Sequence, residues 1–201
     1  MKRLIAATLF AAPLFALAAP VNLITNGSFE SNAVGNGSYA IVGSTAGWTV
    51  GPNGLEIRNN VAGSAFSGGN YVELDTTANS WISQTLNTVA GATYTLSFSY
   101  ANRPDFRSAA SNGIDWSIGG LSGLVGNNTI TTWQTLTTTF TGTGSPMTLR
   151  FAAAGISDSY GTSLDNVSVT AVPEPQSLAL MLAGLGAMGF VLRRRKTAGK
   201  A

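Results

Sequence analysis

Residues 93–100 constrain the fold more than any other stretch. Tyr94, Leu96, Phe98 and Tyr100 alternate there with Thr95, Ser97 and Ser99. A period of two puts the four large side chains on one face of an extended strand and the hydroxyls on the other. Such a strand covers a core on one side only, which suits an antiparallel sheet. The pattern recurs. Ile114, Trp116 and Ile118 alternate with Asp115 and Ser117, and Ile82, Gln84 and Leu86 oppose Trp81, Ser83 and Thr85. Leu136, Thr138 and Phe140 oppose a ladder of Thr135, Thr137, Thr139 and Thr141. Residues 21–25, 48–50, 55–58, 71–74, 147–151 and 163–170 read as further strands. In the last of these, Leu164, Asn166, Ser168 and Thr170 are set against Asp165, Val167 and Val169. Turn residues such as Asn26-Gly27 and Gly51-Pro52-Asn53-Gly54 separate the runs, and helical periodicity is missing. The expectation is an all-β antiparallel β-sandwich of about 8 to 10 strands. Residues 32–45, 102–113 and 158–162 read as polar loops, the first carrying Tyr39 and the last Tyr160.

The two ends follow other rules. Met1, Lys2 and Arg3 precede an apolar stretch, 4–17, and Ala16-Leu17-Ala18 is a small-x-small cleavage site. This is a secretory signal peptide, 1–18, with Ala19 as the new N-terminus. At the other end, Val172-Pro173-Glu174-Pro175 opens the segment 172–201. Residues 176–192 are uncharged, and Arg193, Arg194, Arg195 and Lys196 follow. As a helix, residues 177–192 span roughly 24 Å, somewhat short of the roughly 30 Å hydrocarbon core. Snorkelling arginines and local thinning close that gap, so 176–192 reads as a transmembrane helix with a cytoplasmic basic tail, 193–201.

Between them lies one domain's worth of chain, 19–171. The whole chain has a formal charge of +2, but seven of its eleven cations sit in the two ends. The body keeps four arginines against eight of the nine carboxylates, a net charge of −4, which excludes a basic nucleic-acid surface. The chain has no cysteine and no histidine, and the body has no lysine. Disulfides, Ser-His-Asp and Cys-His machinery, Schiff-base lysines and the usual zinc sites are thereby excluded.

The C-terminal order of parts, Pro-Glu-Pro, apolar run and arginine cluster, resembles the PEP-CTERM sorting signal of Gram-negative bacteria. The resemblance implies an exosortase as partner, transient anchoring in the inner membrane, and delivery to the cell surface or extracellular matrix. Within the body, several stretches resemble the DUF642-like, galactose-binding-like jelly rolls. They are the run from Asn22 through Asn26-Gly27-Ser28-Phe29-Glu30, Gly47-Trp48, Gly69-Asn70-Tyr71-Val72-Glu73-Leu74, Ile82-Ser83-Gln84-Thr85-Leu86, Gly91 through Phe98, and Leu164-Asp165-Asn166-Val167-Ser168-Val169. Modules of this kind are similar to carbohydrate-binding modules, which implies an extracellular polysaccharide as ligand. The absence of cysteines departs from the plant pattern.

Three constellations bear on chemistry. The resemblance places the first and last strands side by side, so Glu30 and Asp165 would meet at one rim and hold a structural Ca²⁺ through hard oxygen ligands. Sugars stack on exposed aromatic planes. Trp48 and Trp116 read as core, Trp133 precedes a strand, and Trp81 points away from Ile82 and Leu86 and is the first choice of platform. Tyr39 and Tyr160 are the loop alternatives. Glu73 and Asp75 lie two apart on one face, a spacing that a glycosidase pair could use and that a charged strand edge explains as well. Three readings stand: a non-catalytic polysaccharide-binding module, a structural or adhesive matrix protein, and a glycan-acting hydrolase.

Overall fold

A computed structural model describes residues 21–106 and 108–173, together with Met181, Leu182, Gly184, Leu185, Gly186, Met188 and Gly189. The signal peptide with Ala16, Ala18 and Ala19, the sorting residues Glu174, Pro175, Arg193, Arg194 and Arg195, and Arg107 lie outside the described residues. Those described between 181 and 189 are helical and exposed. Among the described residues, no helix is long and apolar enough to cross a membrane.

Among the described residues eleven strands form two antiparallel sheets: β1 (Ser38–Val42), β2 (Thr49–Val50), β3 (Leu55–Asn59), β4 (Tyr71–Glu73), β5 (Trp81–Asn87), β6 (Thr93–Asn102), β7 (Ile114–Ile118), β8 (Leu121–Val125), β9 (Gln134–Thr141), β10 (Pro146–Ala153) and β11 (Thr162–Ala171). One sheet runs β1-β3-β4-β11-β6-β9 and the other β2-β5-β10-β7-β8. The inward faces supply the core. Leu96 and Phe98 of β6, Trp116 and Ile118 of β7, Phe151 of β10 and Ile82 of β5 are buried in one cluster. Phe98 sits at its centre, 4.9 Å from Phe151 and 6.0 Å from Trp116, with edge-to-face geometry at both.

The alternation of β5, β6, β7 and β9 holds. Three other expectations change. Residues 21–25 make one isolated bridge, Asn22 to Thr170, rather than a strand. The stretch 32–45, expected as a loop, contains β1, which pairs residue for residue with β3. In β11 the register to β6 shifts between Asp165 and Ser168, and Asn166 adopts a positive φ of 52°. This bulge inserts a residue and changes the phase of the alternation. Leu164 therefore joins Val167 and Val169 in the core, and Asp165 turns to the outer face of the six-stranded sheet, where it is still fully buried.

Candidate ligand groove on the six-stranded sheet

The outer face of the six-stranded sheet should be wet, and at β3 and β4 it is not. Leu55 and Ile57 of β3 enter the core, so Glu56 and Arg58 must point outward. Arg58 is nevertheless only 1% exposed and Glu73 of β4 fully buried. Glu56 and Glu73 are direct cross-strand partners, an opposition of like charges that is unfavourable alone. Arg58 resolves it. Its Nε donates to Glu56 Oε1 at 2.6 Å, and its Nη1 lies 2.5 Å from Glu73 Oε2. Arg103 approaches Glu73 Oε1 at 3.7 Å and binds Asp105 through two hydrogen bonds, of 2.9 and 2.7 Å.

Burial of these acids costs free energy, and their protonation reflects it. Desolvation pushes Glu73 up to about 8, although Arg58 and Arg103 pull it down. Desolvation raises Asp75, against the N–H groups that favour its anion. Asp165 is pushed up to about 6 by desolvation, with a further rise from the nearby charge of Glu30. The Tyr71 phenol is pushed up to about 12, chiefly by burial.

Three buried acids and the exposed Glu30 each hold a piece of the roof. Asp75 Oδ2 accepts the N–H groups of Asp158 and Ser159, both at 3.0 Å. Glu73 Oε1 accepts from Gly161 at 2.9 Å. Asp165 Oδ2 accepts from Phe66 and Ser67, both at 2.9 Å. Glu30 Oε1 accepts from Gly69 and Asn70 at 2.9 and 2.7 Å. Loops 59–70 and 154–161 are thus tied down by carboxylates on and beside the sheet, and the gaps between them are cavities.

The cavity over β1 and β3 has a volume of about 380 Å³. Tyr39, Ile41, Arg58, Arg103, Asp158 and Tyr160 are among the residues that line it. Tyr39 and Tyr160, remote in sequence, therefore meet at one place. They are not equivalent there. Phe106 stacks on Tyr160 with centroids 4.1 Å apart, and the Arg103 guanidinium lies 4.7 Å from the same ring. The Tyr160 ring is thus already in contact with two groups of the chain. Tyr39 is 56% exposed and free to stack. Trp81 points out of the core as expected, but on the opposite sheet. It is half-buried against Gly51 and beneath Arg150, whose guanidinium lies 5.2 Å from the ring. Trp81 therefore does not join the tyrosines.

Over the centre of the sheet is a second cavity, of about 290 Å³, with Trp133 as its largest side chain. Neither Trp133 nor the Glu56–Arg58–Glu73 cluster was legible as part of a site. An alternating Leu-Glu-Ile-Arg run reads as a solvated face unless the loops above it are known.

Glu30 and Asp165 do come into one neighbourhood, beneath loop 59–70. Asp165 Oδ1 also accepts from Asn166, so three of the four oxygens are engaged by main-chain N–H groups. Glu30 Oε2 accepts no hydrogen bond from a described residue. Two close carboxylates suit a hard cation in charge, and its other ligands would be main-chain carbonyls or water. No group of three or more His, Cys, Asp or Glu side chains suited to a metal occurs among the described residues.

The architecture defines a class, the jelly-roll-type antiparallel sandwich with a groove roofed by loops on one sheet. Within it the chain belongs to the family described as protein of unknown function, DUF642, whose model matches residues 22–170. Residues 171–196 match the PEP-CTERM protein-sorting motif. No curated protein matches the sequence. Among solved structures the chain is similar to a family 16 carbohydrate-binding module, at 17% identity and a TM-score of 0.50, over 74% of this chain and 99% of the module. It is also similar to an arabinose-bound α-L-arabinofuranosidase, at 13% identity and a TM-score of 0.51, over 75% of this chain but only 26% of that enzyme. At these identities the likeness concerns the fold.

Proposed function

We propose that the chain is an exported protein, sorted by an exosortase through its C-terminal segment, whose domain 19–171 binds extracellular polysaccharide without catalysis. In this reading residues 1–18 are removed on export. The segment 172–201 anchors the chain transiently in the inner membrane of a Gram-negative bacterium through 176–192, before release to the cell surface or matrix. The observation that carries the binding role is the cavity lined by Tyr39 over a floor fixed by Arg58 and Glu73. It combines a free aromatic plane with polar groups that cannot relax away, the mixture sugar sites use. Trp81 and Tyr160 are poorer platforms because each ring already contacts an arginine, and Tyr160 also Phe106.

A hydrolytic role for Glu73 and Asp75 is disfavoured by their partners. Glu73 is held by two arginines and Gly161, and Asp75 by two N–H groups, with both carboxyls buried. The matrix-protein reading draws on a different feature. Thr135, Thr137, Thr139 and Thr141 of β9 stand opposite Ser99, Ser97, Thr95 and Thr93 of β6, an uncharged hydroxyl array at a sheet edge. We also propose a structural Ca²⁺ held by Glu30 and Asp165.

The deciding experiment is a glycan array probed with the full chain and with Tyr39→Ala, in calcium and in chelator. Retention of a polysaccharide that Tyr39→Ala loses supports the binding module. No retention by the unaltered chain hands the function to the matrix reading.

A further inference from the structure

The two cavities lie on one sheet face, side by side. Tyr71 of β4, Ser163 of β11, and Ala101 and Asn102 of β6 line the second, and Trp133 forms its wall. Neighbouring residues of the same two segments divide them. Val61 lines the first cavity while Ala62 and Gly63 line the second, and Arg103 lines the first while Pro104 lines the second. The Tyr71 hydroxyl donates to the Val61 carbonyl, which ties this boundary to the sheet.

We propose that this face binds a neutral glycan along its length, with Tyr39 in the first cavity and Trp133 in the second as platforms for different sugars of one chain. The proposal rests on the carbohydrate-binding reading and adds to it a second subsite, a binding mode and a charge class. Trp133 is suited to the role because its orientation is fixed. Its Nε1 donates to the Ser64 carbonyl at 2.9 Å, and Phe66 and Tyr71 each meet the ring with centroids 6.0 Å away, at 66° and 89°. A plane held in place before the ligand arrives loses little freedom on binding.

The charge class follows from the lining. Among the described residues no Asp, Glu, Lys or Arg lines the second cavity, and its polar groups are the hydroxyls and amide of Ser64, Asn102, Thr131, Thr132, Ser163 and Tyr71. A uronate or sulfated sugar would lose water there and gain no cation from a described residue. A neutral pyranose offers hydroxyls to those groups and a C–H face to the indole. Each cavity is near the lower end of small-ligand size, so a ligand that fills both crosses that boundary and is a chain rather than a single sugar.

The test is an array of linear neutral glucans, galactans, xylans and mannans, each printed from single sugars to octamers, beside uronic-acid chains of the same lengths. It is probed with the full chain and with Tyr39→Ala, Trp133→Ala and Trp133→Phe. The unaltered chain should retain long neutral chains more strongly than short ones. Trp133→Ala should weaken long-chain retention roughly three- to tenfold, the range of one aromatic contact, and leave short-chain retention as it was. That unchanged short-chain binding, with rescue by Trp133→Phe, shows that the domain is folded. Tyr39→Ala should weaken both. Retention independent of length, equal loss on short and long chains in Trp133→Ala, or Trp133-dependent capture of uronic-acid chains would overturn the two-subsite proposal and leave carbohydrate binding intact. No retention of any glycan by the unaltered chain would overturn the carbohydrate reading and this proposal with it.

Discussion

Arg58 Nη1 lies 2.5 Å from Glu73 Oε2, between two strands of the sheet and beneath the floor of the first cavity. Neither atom makes a well-angled hydrogen bond, and the contact becomes an ion pair once Glu73 loses its proton. Such a pair is a poor source of net stability, because desolvation of both ions offsets most of their attraction. Its role is positional: it fixes Glu56, Glu73 and, through Glu73, Arg103 and Gly161.

Loss of the cation should therefore be severe. Arg58→Ala leaves Glu56 and Glu73 facing each other across the strands, buried and without the guanidinium between them, with only the more distant Arg103 still near Glu73. Breaking a buried pair on one side typically costs about 3 to 5 kcal/mol. Urea unfolding should show that loss, whereas Arg150→Ala, on the other sheet, should change stability far less. Equal effects of the two substitutions would contradict the role given to Arg58.

The same acids set the pH dependence. Glu73 titrates near 4.5 when unfolded and at about 8 when folded. Between those values the folded chain keeps a proton that the unfolded chain has lost, so stability is full below the lower value and declines as pH rises through the upper one. Asp165 acts in the same direction between 3.8 and about 6. Asp105 acts in the opposite direction, because its hydrogen bond to Arg103 lowers its pKa, and its contribution fades in stronger acid. Thermal melting should give a higher Tm at about pH 5 than at about pH 8.5, and Glu73→Gln should flatten the decline. A Tm that rises steadily over that interval would show that Glu73 is ionised throughout.

These acids also mark where the sequence stops being informative. Period-two alternation is a local property, so the inward faces of β5, β6, β7 and β9 and the core position of Trp116 were legible, whereas the core position of Trp48 was read from the Gly47-Trp48 motif of the family resemblance. Tyr39 was misplaced into a loop because β1 is an edge strand with little burial on either side, and no alternation marks it. The bulge at Asn166 adds one residue and inverts the faces on one side of it, which no count of apolar positions detects. The roof depends on bonds such as Asp75 to Asp158 and Asp165 to Phe66, which join distant parts of the chain. A local pattern therefore reads Glu56, Arg58 and Glu73 as solvated and leaves Trp133 without a role.

The tryptophans offer a contrast in packing. Trp116 is 8% exposed and packs against Phe98, so Trp116→Ala should cost roughly 3 to 5 kcal/mol. Trp81 is half-buried, and Trp81→Ala should cost about 1 kcal/mol, with its cation–π contact to Arg150 a part of that loss. Tyr39→Ala should leave the Tm nearly unchanged, since more than half of the ring is already in water. Melting curves of the three variants check the order. A large loss in Tyr39→Ala would mean that Tyr39 supports the fold rather than a ligand.

Calcium is tested through stability. An ion shared by Glu30 and Asp165 binds the native state alone and stabilises it by about 2.7 kcal/mol at one hundred times its dissociation constant. It would also relieve the mutual repulsion that helps to raise Asp165. Chelator should lower the Tm of the unaltered chain, and Asp165→Ala should abolish the response. Asp165→Ala also removes the acceptor for the Phe66 and Ser67 N–H groups, so a lower starting Tm alone is not evidence of the ion. The informative quantity is the difference between calcium and chelator within each variant. Gly68→Ala provides an independent check. Gly68 has a φ of 73°, and a Cβ there would stand 2.4 Å from Glu30 Oε1, which forces that carboxylate to move. If calcium binds, this substitution should shrink the chelator response while Asp165 itself is untouched. An unaltered chain whose Tm is the same in calcium and chelator would remove the ion from the account and leave the five main-chain N–H donors as the whole reason for the two carboxylates.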